Sequence, residues 1–470
     1  MAQATRVEQD SMGPMTVPAH ALWGASTQRA VENFPISGYR FGRRFIRALG
    51  LIKLAAAEVN GRLGTVPKES TELIARAAQE VIDGRLDDHF VLDVFQTGSG
   101  TSTNMNANEV IANRSMQLAG ERRKVHPNDH VNQCQSSNDV IPTAMHVAAA
   151  EELKDNLIPA LELLAARLEE KARAFDNIVK IGRTHLQDAT PIRLGQEFSG
   201  YAAQVRLAIK RAQKAIHGLR ELPIGGTAVG TGINTHRDFG RLVAESLSQK
   251  TGIEFVEAAN HFEAQHAKDG FIEASGLVRT IAVSLGKIAN DIRLLGCGPR
   301  CGIGELKIPP TQPGSSIMPG KVNPVMSEMV LQVVAHVIGA DAAITHAGAT
   351  MGMLDLHVGM PVMTHEFLEA VRILSNAAQV FAERCVAGLE ADPARAGQLV
   401  EQSLAMCTSL APVIGYDRAA AIAKKAQATG KTVRQVAMEE KVLPEEKLNE
   451  LLDARAMTEP GGEERIKDQG

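Results

Sequence analysis

Aromatic residues are scarce: one Trp, three Tyr and thirteen Phe make up 4% of the 470 residues. Strands favour aromatic and β-branched side chains, so a sheet-rich fold is disfavoured. The Ala, Leu, Glu, Lys and Met that crowd the middle of the chain favour helix instead. Cysteine is scarce too. Cys134, Cys297, Cys301, Cys385 and Cys407 are too few and too scattered for a disulfide framework, and an odd count fits a reducing compartment. Cys297 and Cys301 lack a second Cys/His pair at zinc-site spacing, so they read as structural thiols rather than metal ligands. Neither sign of charge dominates: 50 Lys and Arg against 54 Asp and Glu leave a net charge of −4. The basic stripe that nucleic acid or an anionic membrane requires is missing. The start of the chain has no apolar or Arg/Ser-rich leader pattern, and no later stretch holds eighteen uninterrupted apolar residues, which points to a cytoplasmic protein. Chemistry on small molecules is the class left standing.

What is present is helical periodicity. A chain of 470 residues exceeds the size at which one core stops growing, and three domains are expected. Residues 1–137 are broken by Gly, Pro and Asn and read as a mixed, loop-rich, mainly helical domain, with a helical stretch at 70–86 and a polar Gly/Ser/Thr run at 97–108. In 138–391, Ile141, Met145, Leu153, Leu157, Leu161, Leu164 and Leu168 recur at three- and four-residue spacings, the mark of an amphipathic helix; Pro159 is placed to kink it. Phe198, Tyr201, Val205, Ile209, Ala212, Ile216 and Leu219 repeat the pattern, and 271–295, 325–344 and 361–389 complete five long helices. Residues 392–470 read as a small helical domain whose charged tail, GGEERIKDQG, should fray. The fold class is all-α, with a central helix bundle. The segment MVLQVVAHVIGADAAI, 329–344, is apolar around more than one stripe and would leave hydrophobic surface in water on a lone copy, so a homo-oligomer packed through the bundle is expected.

The most informative stretch is GSSIMPGKVNP, 314–324. Two serines, two glycines and a lysine sit where no helix is expected until after Pro324, and the stretch reads as a flexible loop over a site; by composition alone it would be a mere connection. The string resembles the signature of the fumarase/aspartase superfamily, lyases that add or remove a proton and a leaving group. Six further blocks match in the same order: VEQDSMGPMTVPAHALWGASTQRA near the start, TGSGTSTNMNANEV at 97–110, VHPNDHVNQCQSSND at 125–139, GRTHLQDATP at 182–191, GGTAVGTGINT at 225–235 and GPRCGIGE at 298–305. The resemblance spans nearly the whole chain. It implies a three-domain fold with a long-helix bundle as the core of a homotetramer, active sites shared by three subunits, and neither cofactor nor metal. Within the superfamily, THLQDA with His185, and Gly320 before Lys321, resemble the branch that interconverts L-malate and fumarate in the tricarboxylic acid cycle. The aspartate branch carries Gln and Ala at those positions.

Dehydrating malate removes a weakly acidic C3 proton beside a carboxylate, so a doubly negative aci-carboxylate must be held before hydroxide leaves from the opposite face. By resemblance Ser315 takes the proton, which a serine can do only if backbone N–H groups and a cation such as Lys321 stabilise its alkoxide; motif position alone separates it from Ser316. His185 serves the leaving water, with Glu328 to raise its basicity. Ser99, Gly100, Thr101, Ser136, Ser137, Asn138, Thr184, Ser316, Lys321, Val322 and Asn323 are the expected carboxylate-binding set. His126, Pro127, Asn128 and Asp129 resemble a secondary dicarboxylate site, although a Pro-Asn-Asp turn explains them equally well. The competing readings are an aspartate ammonia-lyase, a silent structural scaffold like the lens δ-crystallins of this superfamily, and a dicarboxylate-binding regulator.

Overall fold

The structure, a computed structural model, describes residues 4–120 and 124–460; the tail expected to fray lies outside the described residues. The chain is helical, and its strands form only five two-stranded sheets among the described residues. The expected long helices are all present. Ser137–Glu152 runs through a π-helical turn, Leu153–Leu157, into Ile158–Ala174, and the other four are Leu194–Gly218, Asp269–Leu295, Val325–Thr350 and Met360–Arg384. The π turn lies just ahead of Pro159: Ile158 N–H reaches back to Leu153 O, the wider loop that a helix adopts where a proline interrupts its hydrogen-bond ladder.

The N-terminal third is less loop-rich than its composition suggests. Helices Arg43–Leu63 and Lys68–Ile82 pack together, and most of the polar run at 97–108 opens an 18-residue helix, Thr101–Leu118. Its Asn104, Asn106, Asn108 and Glu109 are buried. Glu109 is tolerated because partners meet it: its carboxylate accepts N–H from Gly24, Ser26 and Thr27 and the Thr27 hydroxyl, at 2.5 to 3.1 Å.

The chain forms two compact units. The first gathers Met1–Pro159, Ile209–Ala282 and Val333–Ser375; the second gathers Ala160–Ala208, Val283–Gln332 and Asn376–Gly470. Each of the five long helical runs thus gives residues to both. In the first unit, Arg43–Leu63 is the hub, packed on Lys68–Ile82, Ser137–Glu152 and Phe239–Thr251, and it buries Phe45, Leu49, Ile52 and, among them, Lys53. The part of Val325–Thr350 in this unit turns Asp341 inward, where it accepts from Ser275 Oγ at 2.7 Å and Arg279 at 2.6 Å. Its other side exposes Ala335, His336, Ile338, Gly339, Ala342 and Ala343. Among the described residues this is the one helix long and apolar enough to cross a membrane, and only 28% of its most apolar window is buried.

In the second unit, helices Pro393–Gln402, Tyr416–Thr429, Val433–Glu439 and Glu445–Leu451 close over a core of Leu410, Ile422, Val433, Val436 and Leu448. Ile181, from the antiparallel hairpin Val179–Thr184 and Gln187–Arg193, inserts into the same core. The hairpin is thereby seated on the C-terminal helices. Shrinking that seat is predicted to loosen both: Ile422→Ala should cost about 2–5 kcal/mol, seen as an earlier thermal transition and faster proteolysis after residue 392, and an unchanged melting curve would contradict this packing.

Candidate active site

In the first unit, two helices start at the same place. Gly100 precedes Thr101, and Ser136 precedes Ser137. Gly100 has φ +72°, and a Cβ there would lie 2.9 Å from the Ile141 side chain, so both conformation and space demand glycine. Gly100 brings no capping side chain to the Thr101–Leu118 helix, and Gln96 Oε1 instead accepts the Thr103 N–H at 3.1 Å. Hydroxyls bridge the two starts: Ser99 Oγ lies 2.8 Å from Thr101 Oγ1, which lies 2.7 Å from Ser137 Oγ. The second helix begins with a capping box. Ser136 Oγ accepts Asn138 N–H at 3.2 Å, and Asp139 accepts Ser136 N–H at 2.9 Å. Asp139 also accepts N–H from Gly225 and Thr227 at 3.1 and 2.9 Å, and Asn138 Nδ2 donates to Ala228 O at 2.8 Å. The 225–228 segment is thus clamped against the helix start, with Thr227 at φ +53°, a strained setting for a β-branched residue.

These residues wall a cleft of about 430 Å³ lined by Thr101, Asn104, Met105, Asn128, Asn132, Gln133, Cys134, Gln135, Ser136, Ser137, Thr227, Ala228, Ile233 and Asn234. None is charged. Two helix N-termini with hydroxyl-bearing first turns nonetheless favour negative charge there, since their peptide dipoles point at the cleft. Two lining residues keep a buried polar atom without a partner, Asn104 Oδ1 and Thr227 Oγ1. One layer below, the ammonium of fully buried Lys53 donates to Asn132 Oδ1 and Gln135 Oε1 at 3.0 and 2.9 Å. Burial lowers its pKa to about 7 against the pull of Asp139. Burial likewise raises Asp139 to about 6, against its three N–H bonds and Lys53.

The second unit carries Thr184, His185 and the expected residues of 315–328. Thr184 and Gln187 pair across a two-residue turn, His185–Leu186, with φ of +57° and +61°. Two positive φ values match the I′ turn whose twist suits a tight hairpin, and without glycine that turn is strained. It holds the His185 ring in the open, with no hydrogen-bond partner among the described residues. Beneath it, Arg183 grips Glu305 with both arms, at 2.9 and 3.1 Å, and buried Lys180 lies 3.5 Å from Glu305 and 3.3 Å from Glu197. Burial raises the Glu197 pKa, with Lys180 opposing.

Between strand Leu306–Lys307 and helix Val325–Thr350, the loop carrying Ser315 is pinched at its base. Gly314 N–H donates to Lys321 O and Asn323 Nδ2 to Gly314 O, both at 2.8 Å, and a Cβ on Gly314 would lie 2.5 Å from Lys321 O. Ser315 Oγ accepts N–H from Ile317 at 3.2 Å and Met318 at 3.0 Å. No such pair of donors meets Ser316, which is exposed, as are Lys321 and Val322. Glu328 sits exposed in the first turn of its helix; no ion pair joins it to His185 among the described residues.

The HPND block forms a single π-helical turn. His126 Nδ1 accepts N–H from Asn128 and Asp129 at 3.3 and 3.1 Å, with the Asp129 carboxylate 3.2 Å away. Of the four residues only Asn128 reaches the cleft.

Several residues that build these sites were not singled out by motif. Asp139 carries a readable signal, since Ser136-Ser-Asn-Asp before an apolar run is a capping-box pattern. Thr227, Ala228 and Asn234 lie in the matched block at 225–235. Asn104 and Asn132 lie in the matched blocks at 97–110 and 125–139; Lys53 carries no local signal, and the Arg183–Glu305 pair spans 122 positions.

The family described as lyase matches residues 13–339, and the family described as fumarase C C-terminus matches 406–459. A protein named fumarate hydratase class II, from Halobacterium salinarum, is 57% identical over 98% of both chains. Two crystal structures superpose on nearly all of this chain. The class II fumarase of Schistosoma mansoni has a TM-score of 0.94 at 37% identity and covers 97% of this chain and 100% of its own. A Brucella melitensis protein described as fumarate lyase:delta crystallin, bound to cobalt, has a TM-score of 0.93 at 45% identity with the same coverage. The fold is that of a lyase. The chain belongs to the class II fumarate hydratase family.

The ionic seat of the hairpin gives a prediction. Glu305→Gln leaves Arg183 and buried Lys180 short of a carboxylate, which should cost about 3–5 kcal/mol of stability. It should also lower kcat more than it raises KM, because the tip carrying His185 loses its anchor. Thermal melts with steady-state kinetics test both, and wild-type kcat would contradict the anchoring role.

Proposed function

We infer that this chain catalyses the reversible, stereospecific hydration of fumarate to L-malate. The observation that carries the reading is the Thr101–Ser137 hydroxyl pair at two converging helix N-termini, an uncharged wall suited to a carboxylate, in a chain of this family. In the dehydrating direction, the malate carboxylate beside C3 rests on that wall while Ser315 takes the C3 proton. The two N–H groups already directed at Ser315 Oγ are donors that stabilise an alkoxide, and they support this serine over Ser316 for the step. The aci-carboxylate keeps the electron pair left by the proton. It then expels hydroxide from C2 as His185, on the opposite face, delivers a proton, giving fumarate and water. Lys321 supplies the cation, and Ser99, Gly100, Ser136, Asn138, Thr184, Val322 and Asn323 complete the carboxylate contacts. Glu328 of another copy serves to tune His185, and the HPND turn, beside the cleft through Asn128, holds a second dicarboxylate. No cofactor enters the scheme.

The active unit in this reading is a homotetramer whose sites draw on three subunits. The exposed apolar side of Val325–Thr350 supports it, since a second copy is the natural cover for such a face; Asp341 on its other side makes a lipid-facing helix a poor alternative. The five unpaired cysteines support a reducing, cytoplasmic setting. The domain division 1–137, 138–391 and 392–470 is retained as part of this proposal.

The test follows the absorbance of the fumarate double bond after mixing metal-stripped protein with L-malate, with L-aspartate in parallel. Fumarate should form from malate alone. Fumarate and ammonia from aspartate alone would make the chain an ammonia-lyase, and inertness toward both would favour a structural or regulatory role. Ser315→Ala should abolish most turnover with the assembly intact, and His185→Asn should lower kcat more than it weakens binding.

A further inference from the structure

Lys53 has no part in the scheme above, yet its ammonium bonds two residues of the cleft wall, Asn132 and Gln135. It sits in the middle of the Arg43–Leu63 helix, between Ile52 and Leu54, with no exposed surface. A buried ammonium without a carboxylate in contact is costly and persists where something depends on it. Both of its hydrogen-bond partners, Asn132 and Gln135, line the cleft, and Asn132 Oδ1 also accepts from Asn104 Nδ2 at 3.1 Å. Gln135 in turn donates to Val131 O and Gln133 O. One ammonium therefore holds the turn that leads into Ser136 and Ser137. It also faces a charge problem. Asp139, fully buried behind the same wall, would repel a dianion if nothing balanced it, and Lys53 is the cation whose charge acts on it.

We propose that Lys53 is a positioning residue of the dicarboxylate cleft: its ammonium fixes the Asn132–Gln135 turn and offsets the Asp139 carboxylate, so that an uncharged wall accepts a doubly charged ligand. This rests on the reading of the cleft as the dicarboxylate site. The consequence is selectivity by ligand charge, which packing alone does not produce.

The test measures competitive inhibition of malate turnover by succinate, a dianion, and by its half-amide succinamate, a monoanion, at one neutral pH. Lys53→Met should weaken succinate on the order of tenfold, about 1.4 kcal/mol, and succinamate much less. Lys53→Gln, which keeps a donor toward the two amide oxygens, should show the same charge-dependent loss and serves if the Met variant does not fold. Adding Asp139→Asn to either should restore the wild-type ratio of the two inhibitors. Equal weakening of both inhibitors, or no weakening, would overturn the proposal. Thr101→Val is the control for the site. If succinate inhibition is unchanged in that variant, the cleft reading itself fails; if Thr101→Val weakens it while the Lys53 variants match wild type, only the role of Lys53 fails.

Discussion

The carboxylate of Asp139 is the contact on which the cleft depends. It closes the capping box at Ser136 and simultaneously accepts N–H from Gly225 and Thr227, so one buried group fixes a helix start and the opposite wall together. Without it, the hydroxyls of Ser137 and Thr101 and the strained backbone at Thr227 have no common reference. Burying that charge has an electrostatic cost, partly met by three N–H donors and partly by Lys53 one layer away. The wall presented to a ligand is neutral, while the charges that shape it stay underneath.

The chemistry is divided between two kinds of backbone. The carboxylate-holding donors sit on first turns of long helices, where position is fixed by packing over many residues. The groups proposed to react sit where the chain is bent or strained: His185 on a glycine-free I′ turn and Ser315 in a loop pinched between Gly314 and Asn323. Each is nonetheless braced from below, His185 by Arg183–Glu305 and the C-terminal core around Ile181, and Ser315 by the N–H groups of its own turn. That combination suits a reaction in which a dianion must be held still while protons are exchanged at either face.

The long helices were legible because their apolar residues keep the 3.6 period, and Leu153 through Leu168 place one of them almost residue by residue. Thr101–Leu118 was not, because its first half buries Asn104, Asn106, Asn108 and Glu109, with Glu109 held by partners as distant as Gly24, and periodicity counts only apolar side chains. Motif strings identified Ser315, His185 and the Ser136–Asn138 block, and geometry added what strings do not carry: which serine has two N–H donors, and that His185 stands on a strained turn. Lys53 was invisible because a lysine inside an apolar helix reads as one whose amine reaches water; here it points to Asn132 and Gln135 instead.

The most direct test of the central claim, that a neutral wall at two helix N-termini holds a carboxylate, is a crystal structure of the assembled protein with the unreactive dianion succinate. The account predicts one carboxylate within hydrogen-bond distance of Thr101 Oγ1 and Ser137 Oγ, with Ser315 and Lys321 contributed by another subunit. Succinate bound elsewhere with this cleft empty, or a wall that opens by separating Asp139 from Thr227, would contradict it.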